Sequence, residues 1–159
     1  KEIINIFKKE KIQTLNSLSF TPELSLSKGN YTKIKPKSDD KIDIIKGIST
    51  LKKLNNYSFS QGAVIRSNKV LAVEEESGTQ LMLKKIKKED NILKGILIKF
   101  PKKKQDLRVD LPTIGLKTLI QCKNSGLKGI VLKNKQNVCL DKKRLINFAN
   151  KNKMFLVSV

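Results

Sequence analysis

Along the 159 residues, short continuous apolar runs alternate with stretches in which apolar side chains recur every three or four positions. The first pattern marks buried strands and the second marks helices with one buried face. Ile3, Ile4, Ile6 and Phe7 within Glu2–Lys11 predict a short helix, and Ile12–Leu15 a strand. Ser17–Pro36 reads as irregular, with Pro22, Gly29 and Pro36 among many Ser and Thr. Its Leu18, Phe20, Leu24 and Leu26 are expected to lie against other parts of the chain. A helix is predicted from Ser38 to about Leu54, capped by Ser38 or Asp39, with Ile42, Ile44, Ile45, Ile48 and Leu51 on its apolar face. Gly47 weakens its middle, and Asn55-Asn56 ends it.

Gly62–Ile65 and Lys69–Val73 flank Ser67-Asn68 and predict a β-hairpin. An acidic loop, Glu74 to Glu76, follows directly, and then a helical pattern over Gln80–Lys88. Gly95–Phe100 is a β-branched apolar run closed by Pro101, which has no N–H to give to a ladder. A polar loop, Lys102–Asp110, leads to Pro112 near the expected start of a helix that runs through Ile114–Cys122 to a stop at Gly126. Leu127–Leu132 and Asn137–Leu140 read as a second hairpin turning at 134–136. Asp141 is placed to cap a helix over Lys142–Lys151, and Met154–Val159 closes as a strand. From Gly62 onward the order is that of an α/β fold, a mixed sheet with helices packed on it. The two acidic loops both follow strands, so they can converge at one sheet end, where ligands of open α/β sheets bind.

Charge alters this picture less than its size suggests. The net charge is +20, but 31 of the 34 basic residues are Lys and 3 are Arg. Ile, Lys and Asn together make 62 of the 159 residues, and all three have AT-rich codons, so genome composition accounts for much of the charge. Arg, which makes bidentate contacts to phosphate and guanine, is scarce, and aromatics do not interleave with the basic runs. Nucleic acid is therefore not the expected partner. Positive potential still favours an anionic nucleotide or an anionic membrane surface. With no His, this segment lacks a Ser–His or Cys–His nucleophile and a His-based zinc site. Cys122 and Cys139 lack metal-ligand spacing and are expected to be reduced core residues of a cytosolic protein. No apolar run approaches the roughly 20 residues that span a bilayer, and the chain opens on Lys1, as a fragment would.

Candidate chemistry concentrates in the two loops. Asp106 and Asp110 flank Arg108 and are candidates for Mg²⁺ ligands or for a ligand and a general base. Magnesium keeps several waters, so one or two carboxylates with substrate phosphate suffice. The alternative is that Asp106 pairs with neighbouring lysines and Asp110 caps the helix at Pro112. Lys102, Lys103, Lys104 and Arg108 can neutralise a diphosphate, or form a solvated loop. Glu74 to Glu76 can add metal ligands, although three acids in a row are usually exposed, and Thr79, at a helix start, can offer a hydroxyl to phosphate or serve as a first-turn residue.

The segments VLAVEEESGT (70–79), GILIKFPKKKQDLRVDLPTIG (95–115) and SGLKGIVLK (125–133), in this order, resemble the UDP-2,3-diacylglucosamine pyrophosphatases of lipid A biosynthesis. The type meant is the two-domain bacterial one, not the metallophosphoesterase type. The likeness is strongest over Gly62–Val159. It is weaker over Ile3–Phe59, where PEL (22–24) and DIIKG (43–47) resemble the end of the family's first domain. The resemblance implies a C-terminal catalytic domain at 59–159. It also implies that 1–58 is the tail of a first α/β domain plus the interdomain connection, with the rest of that first domain missing. It implies a Mg²⁺-dependent hydrolysis of UDP-2,3-diacylglucosamine at the α-phosphate, giving UMP and 2,3-diacylglucosamine 1-phosphate. On that reading Asp106 and Asp110 are catalytic or bind metal together with Glu74. Lys99, Lys104 and Arg108 hold phosphate oxygens, and Gln105 and Thr79 position the substrate. The expected setting is the cytoplasmic face of the inner membrane of a Gram-negative bacterium, with a homodimer among the expected assemblies.

One departure bears on activity. Where the family tends to read E-G-T-D, this chain has Ser77-Gly78-Thr79-Gln80, and the family's Pro after the D-x-P-x-x-G glycine is Leu116. Two other readings therefore stand beside the hydrolase: a catalytically reduced relative that binds a nucleotide-sugar or lipid headgroup, and a basic RNA- or membrane-surface-binding module.

Overall fold

The computed structural model describes residues 2–54, 60–89, 92–102 and 105–159. Its elements in chain order are α1 (Glu2–Lys9), β1 (Gly29–Asn30), α2 (Ser38–Leu54), β2 (Gly62–Arg66), β3 (Lys69–Val73), α3 (Gly78–Lys84) and β4 (Ile96–Lys99). Then come β5 (Thr113–Ile114), α4 (Leu116–Asn124), β6 (Gly129–Leu132), β7 (Val138–Cys139), α5 (Lys142–Lys151) and β8 (Phe155–Ser158). Two short 3-10 turns, Ser17–Ser19 and Pro22–Leu24, lie between α1 and β1.

Six strands form one mixed sheet in the order β1-β8-β6-β4-β2-β3. The inner strands β4, β6 and β8 run parallel, and β2 is antiparallel to both β4 and β3. All residues of β2, β4, β6 and β8 are buried, as expected of strands covered on both faces. One face carries Val64, Leu97, Ile130, Leu132 and Leu156, packed with Met82, Leu83, Leu119 and Leu145 from α3, α4 and α5. The other carries Ala63, Ile65, Ile96, Ile98 and Val131, packed with Ile44 and Leu51 of α2. Leu26 is fully buried in the first of these cores, while Phe20 stays 70% exposed.

The Ser67-Asn68 hairpin forms as predicted. Both residues have positive φ, 51° and 62°, as a two-residue primed turn demands. The Asp43 carboxylate accepts a hydrogen bond from Asn68 N–H, which stabilises this turn without glycine. Asp141 adopts φ 54° and its carboxylate accepts from Arg144 N–H, the expected cap of α5.

Several sequence expectations are corrected. Ile12–Leu15 is not a strand; it has no partner among the described strands, and Ile12 and Leu15 are about half exposed. Helix α2 has the predicted span, and Ile44, Ile48 and Leu51 of the predicted face pack on the core, but Ile42 and Ile45 point outward while Asp40, Asp43 and Gly47 face inward. Gly47 decides this. A Cβ there would lie 2.9 Å from Ile98 Cγ2 and 3.2 Å from Ile65 Cγ1, so only a glycine lets the helix approach the sheet this closely. The two buried aspartates are compensated, Asp40 by Lys128 and by Lys37 N–H, Asp43 by Asn68 N–H. Helix α3 ends at Lys84 rather than Lys88.

The second predicted hairpin does not form. β6 lies inside the main sheet between β4 and β8, and β7 pairs instead with β5 in a separate two-stranded sheet. Asn137 diverts the chain: fully buried, it accepts from Leu26 N–H and donates to Lys133 C=O. Pro112 accordingly precedes a strand, its C=O accepting from Val138 N–H, and α4 begins only at Leu116.

Candidate active site

Because β2 runs against β3 and β4, its first residues lie beside the ends of those two strands. Gly62 is opposite Lys99, and Glu74 N–H donates to Gly62 C=O at 2.8 Å. Glu74, which follows β3, is 8% exposed, as is Lys99 at the end of β4. Thr79, in the first turn of α3, joins them. Lys99 Nζ donates to Thr79 Oγ1 at 2.5 Å, Thr79 Oγ1 donates to Glu74 Oε1 at 2.9 Å, and Lys99 Nζ lies 3.7 Å from Glu74 Oε1. The other carboxylate oxygen, Glu74 Oε2, is buried without a partner among the described residues. It occupies the space a Gly62 side chain would take, since a Cβ there would stand 2.5 Å away.

The second loop begins where the first group ends. Gln105 Oε1 accepts from Lys102 N–H and from Gln61 Nε2, both at 2.8 Å, which draws the loop back to the start of β2. Asp106 then forms a fork with Arg108: Nε donates to Oδ1 at 3.0 Å, Nη2 donates to Oδ2 at 2.7 Å, and Arg108 N–H donates to Oδ1 at 3.1 Å. These bonds lower the Asp106 carboxyl from its ordinary 3.8 to about 2, and the pairing raises Arg108 in turn. Asp110 is exposed, and its N–H donates to Asp106 C=O at 3.0 Å, closing a turn. The far end of the loop is held by the β5–β7 pairing. A cleft of about 420 Å³ between α1, the 12–14 segment and Arg108 opens beside it.

Lys99, Thr79 and Glu74 are thus brought into direct contact, and Asp106, Arg108 and Asp110 share one turn. Lys104 lies outside the described residues. Among the described residues no three acidic or thiol side chains gather as a metal cluster, so Glu74 does not join Asp106 and Asp110 in such a group. The donors that are present are hard oxygens, the type Mg²⁺ prefers, and Glu74 Oε2 is a buried acceptor without a partner among the described residues. The chemistry of these donors suits magnesium.

Sequence reasoning missed Gln61 and Gly62. Ideal register about the Ser67-Asn68 turn would set Gly62 opposite Val73, but an irregularity between Val64 and Ile65 sets Ala63 there and brings Gly62 to Glu74. No spacing in the sequence announces that shift. Cys122 and Cys139 are free and buried; burial pushes the Cys139 thiol up to about 12 and Cys122 further, so neither is a nucleophile.

Residues 27–157 match the LpxI C-terminal domain family. A UDP-2,3-diacylglucosamine pyrophosphatase LpxI of Caulobacter vibrioides is 30% identical over 166 aligned residues. That alignment covers 100% of this chain and 59% of the relative's length. The resemblance carried by the 70–79, 95–115 and 125–133 segments thus extends over the whole described sheet, and the chain belongs to the LpxI C-terminal domain family.

Proposed function

We propose that this chain supplies the catalytic groups of a Mg²⁺-dependent UDP-2,3-diacylglucosamine pyrophosphatase, with water attacking the α-phosphate to give UMP and 2,3-diacylglucosamine 1-phosphate. The contact of Lys99, Thr79 and Glu74 beside the Gln105–Asp110 loop carries this reading. It puts one buried cation and hydroxyl next to the Glu74 carboxylate at the end of a parallel strand, where phosphoryl transfer needs positioning and charge neutralisation. All these groups fall within 59–159, the part proposed as the catalytic domain.

Lys99 would exchange Thr79 for a phosphate oxygen, and Arg108 would turn one edge of its guanidinium to the diphosphate. Asp106, kept ionised by the Arg108 fork, would serve as an anionic ligand. Asp110, exposed on the same turn, would orient the attacking water. Lys104 and Gln105 would hold further phosphate oxygens. Magnesium, when bound through Glu74, Asp106 or Asp110, supplies charge neutralisation on the transferring phosphoryl group.

The experiment uses the parent chain with its first domain restored, incubated with UDP-2,3-diacylglucosamine and Mg²⁺, with UMP quantified. UMP is expected from the parent chain, and Asp106→Ala or EDTA is expected to lower it by at least a hundredfold, on the order of one charged ligand's contribution. A second reading, a relative that binds the substrate without turning it over, is favoured by Ser77 and Gln80. Ser77 makes no side-chain capping bond, and Gln80 is exposed. Substrate binding without UMP from a folded parent chain would select it.

A further inference from the structure

Gln61 has no part in the reaction above, yet its geometry is tightly determined. Its C=O accepts from Phe100 N–H at 2.8 Å, which holds it beside the exit of β4. Its side-chain Nε2 donates to Gln105 Oε1, the same oxygen that accepts from Lys102 N–H. Gln105 N–H donates in turn to Lys102 C=O at 3.1 Å. A backbone N–H can only donate, so Lys102 decides which end of the Gln105 amide is oxygen. The same logic then fixes Gln61, which must present its NH₂ to that oxygen. The other end of Gln105, Nε2, is left buried with no partner among the described residues. A buried donor without an acceptor is costly, and an incoming ligand oxygen relieves that cost.

We propose that Gln61 is a positioning residue: it locks the Gln105 amide so that its NH₂ faces an oxygen of the bound diphosphate, one residue ahead of Asp106. The assignment rests on the pyrophosphatase reading for the identity of the ligand. The diphosphate is the fitting acceptor because Gly62, next to Gln61, is paired with Lys99, so the amide and the buried ammonium belong to one corner of the sheet. A neutral donor there adds a hydrogen bond to an anionic oxygen without a further charge to desolvate. Gln61 touches Gln105 rather than substrate, so it acts through that amide alone.

The test measures UDP affinity by calorimetry, and UMP release from the lipid substrate, on the parent chain. The variants are Gln61→Met, Gln105→Met, the double variant and the milder Gln61→Asn. Each Met variant is expected to weaken UDP about tenfold, the size of one lost hydrogen bond, and the double variant no further than Gln105→Met alone. KM should rise in step while kcat moves less, because the contact is made in the ground state as well. Gln61→Asn should fall between wild type and Gln61→Met, and it decides the matter if Gln61→Met does not fold. Unchanged UDP affinity in the Gln61 variants, or a double variant weakened about a hundredfold as the product of two independent losses, overturns the proposal. Failure of UDP to bind the folded wild-type parent chain also overturns it. UDP binding with the expected variant pattern but no UMP would leave the positioning role standing and remove the hydrolase reading instead.

Discussion

Asp106 and Arg108 stand two positions apart, and a turn folds one side chain onto the other in a two-pronged ion pair. The pair sets a titration that can be read directly. Asp106 is lowered to about 2 from an ordinary 3.8, so pairing favours the ordered turn fully above about 3.8, and this contribution is lost as pH falls through 2. A carboxyl-carbon NMR titration should place the Asp106 midpoint near 2, and Arg108→Leu should return it toward 3.8. A midpoint indifferent to Arg108 would mean that the fork does not persist in solution. Gly62 makes a second residue-scale case. Gly62→Ala drives a Cβ into Glu74 Oε2, and urea unfolding should show a loss of about 1–3 kcal/mol. Most of that loss should disappear in a Glu74→Asp background, whose carboxylate is one methylene shorter. The sequence exposed Glu74, Thr79 and Asp106 as candidates because they lie in loops after strands or at a helix start, and Lys99 entered only through the family resemblance. It hid Gln61 and Gly62, whose part depends on a register shift and on a side-chain hydrogen bond 44 positions long.

At the scale of elements, α2 shows how packing overrides composition. The isoleucines marked the helix correctly, yet the stripe that meets the sheet contains two aspartates and a glycine. Close approach, permitted by Gly47, outweighed the larger apolar area of Ile42 and Ile45. Gly47→Ala should therefore destabilise. Helix propensity favours Ala by about 1 kcal/mol, but overpacking against Ile98 and Ile65 costs about 1–3 kcal/mol. Thermal unfolding should show a net loss, and a gain would mean that α2 can shift outward freely. The strands from Gly62 to Lys99 and the closing strand were legible because each is a short apolar run of its own. The β6–β7 region was not, because pairing partners are chosen by distant residues: Asn137, which turns the chain away, binds Leu26 from 111 positions back.

At the scale of the whole molecule, charge and apolar surface meet at the N-terminal end. Among the described residues no helix is long and apolar enough to cross a membrane. Ile3 and Ile6 of α1 are 65% and 57% exposed, with Lys8 and Lys9 alongside. An anionic membrane surface remains our proposed setting for a lipid-linked substrate. With a net charge of +20, the chain should co-sediment with vesicles containing anionic lipid at low salt. It should be released toward 1 M salt, where the screening length falls to about 3 Å. Release only by detergent would instead indicate that the apolar edge of α1 inserts.

The pairing of β1 with β8 also constrains when this sheet can exist. The Ser158 hydroxyl donates to Leu26 C=O across 132 positions, and β8 lies between β1 and β6 rather than at an edge. During synthesis, every strand before β8 emerges from the ribosome while the place beside β6 is still open. The β2–β3 hairpin can form from local contacts, but β1 has no strand to join until β8 is released. The exposed flank of β6 in that interval offers an unpaired edge to any neighbouring chain. The last strand of this sheet to be made is thus the one that protects the nascent protein from its own copies.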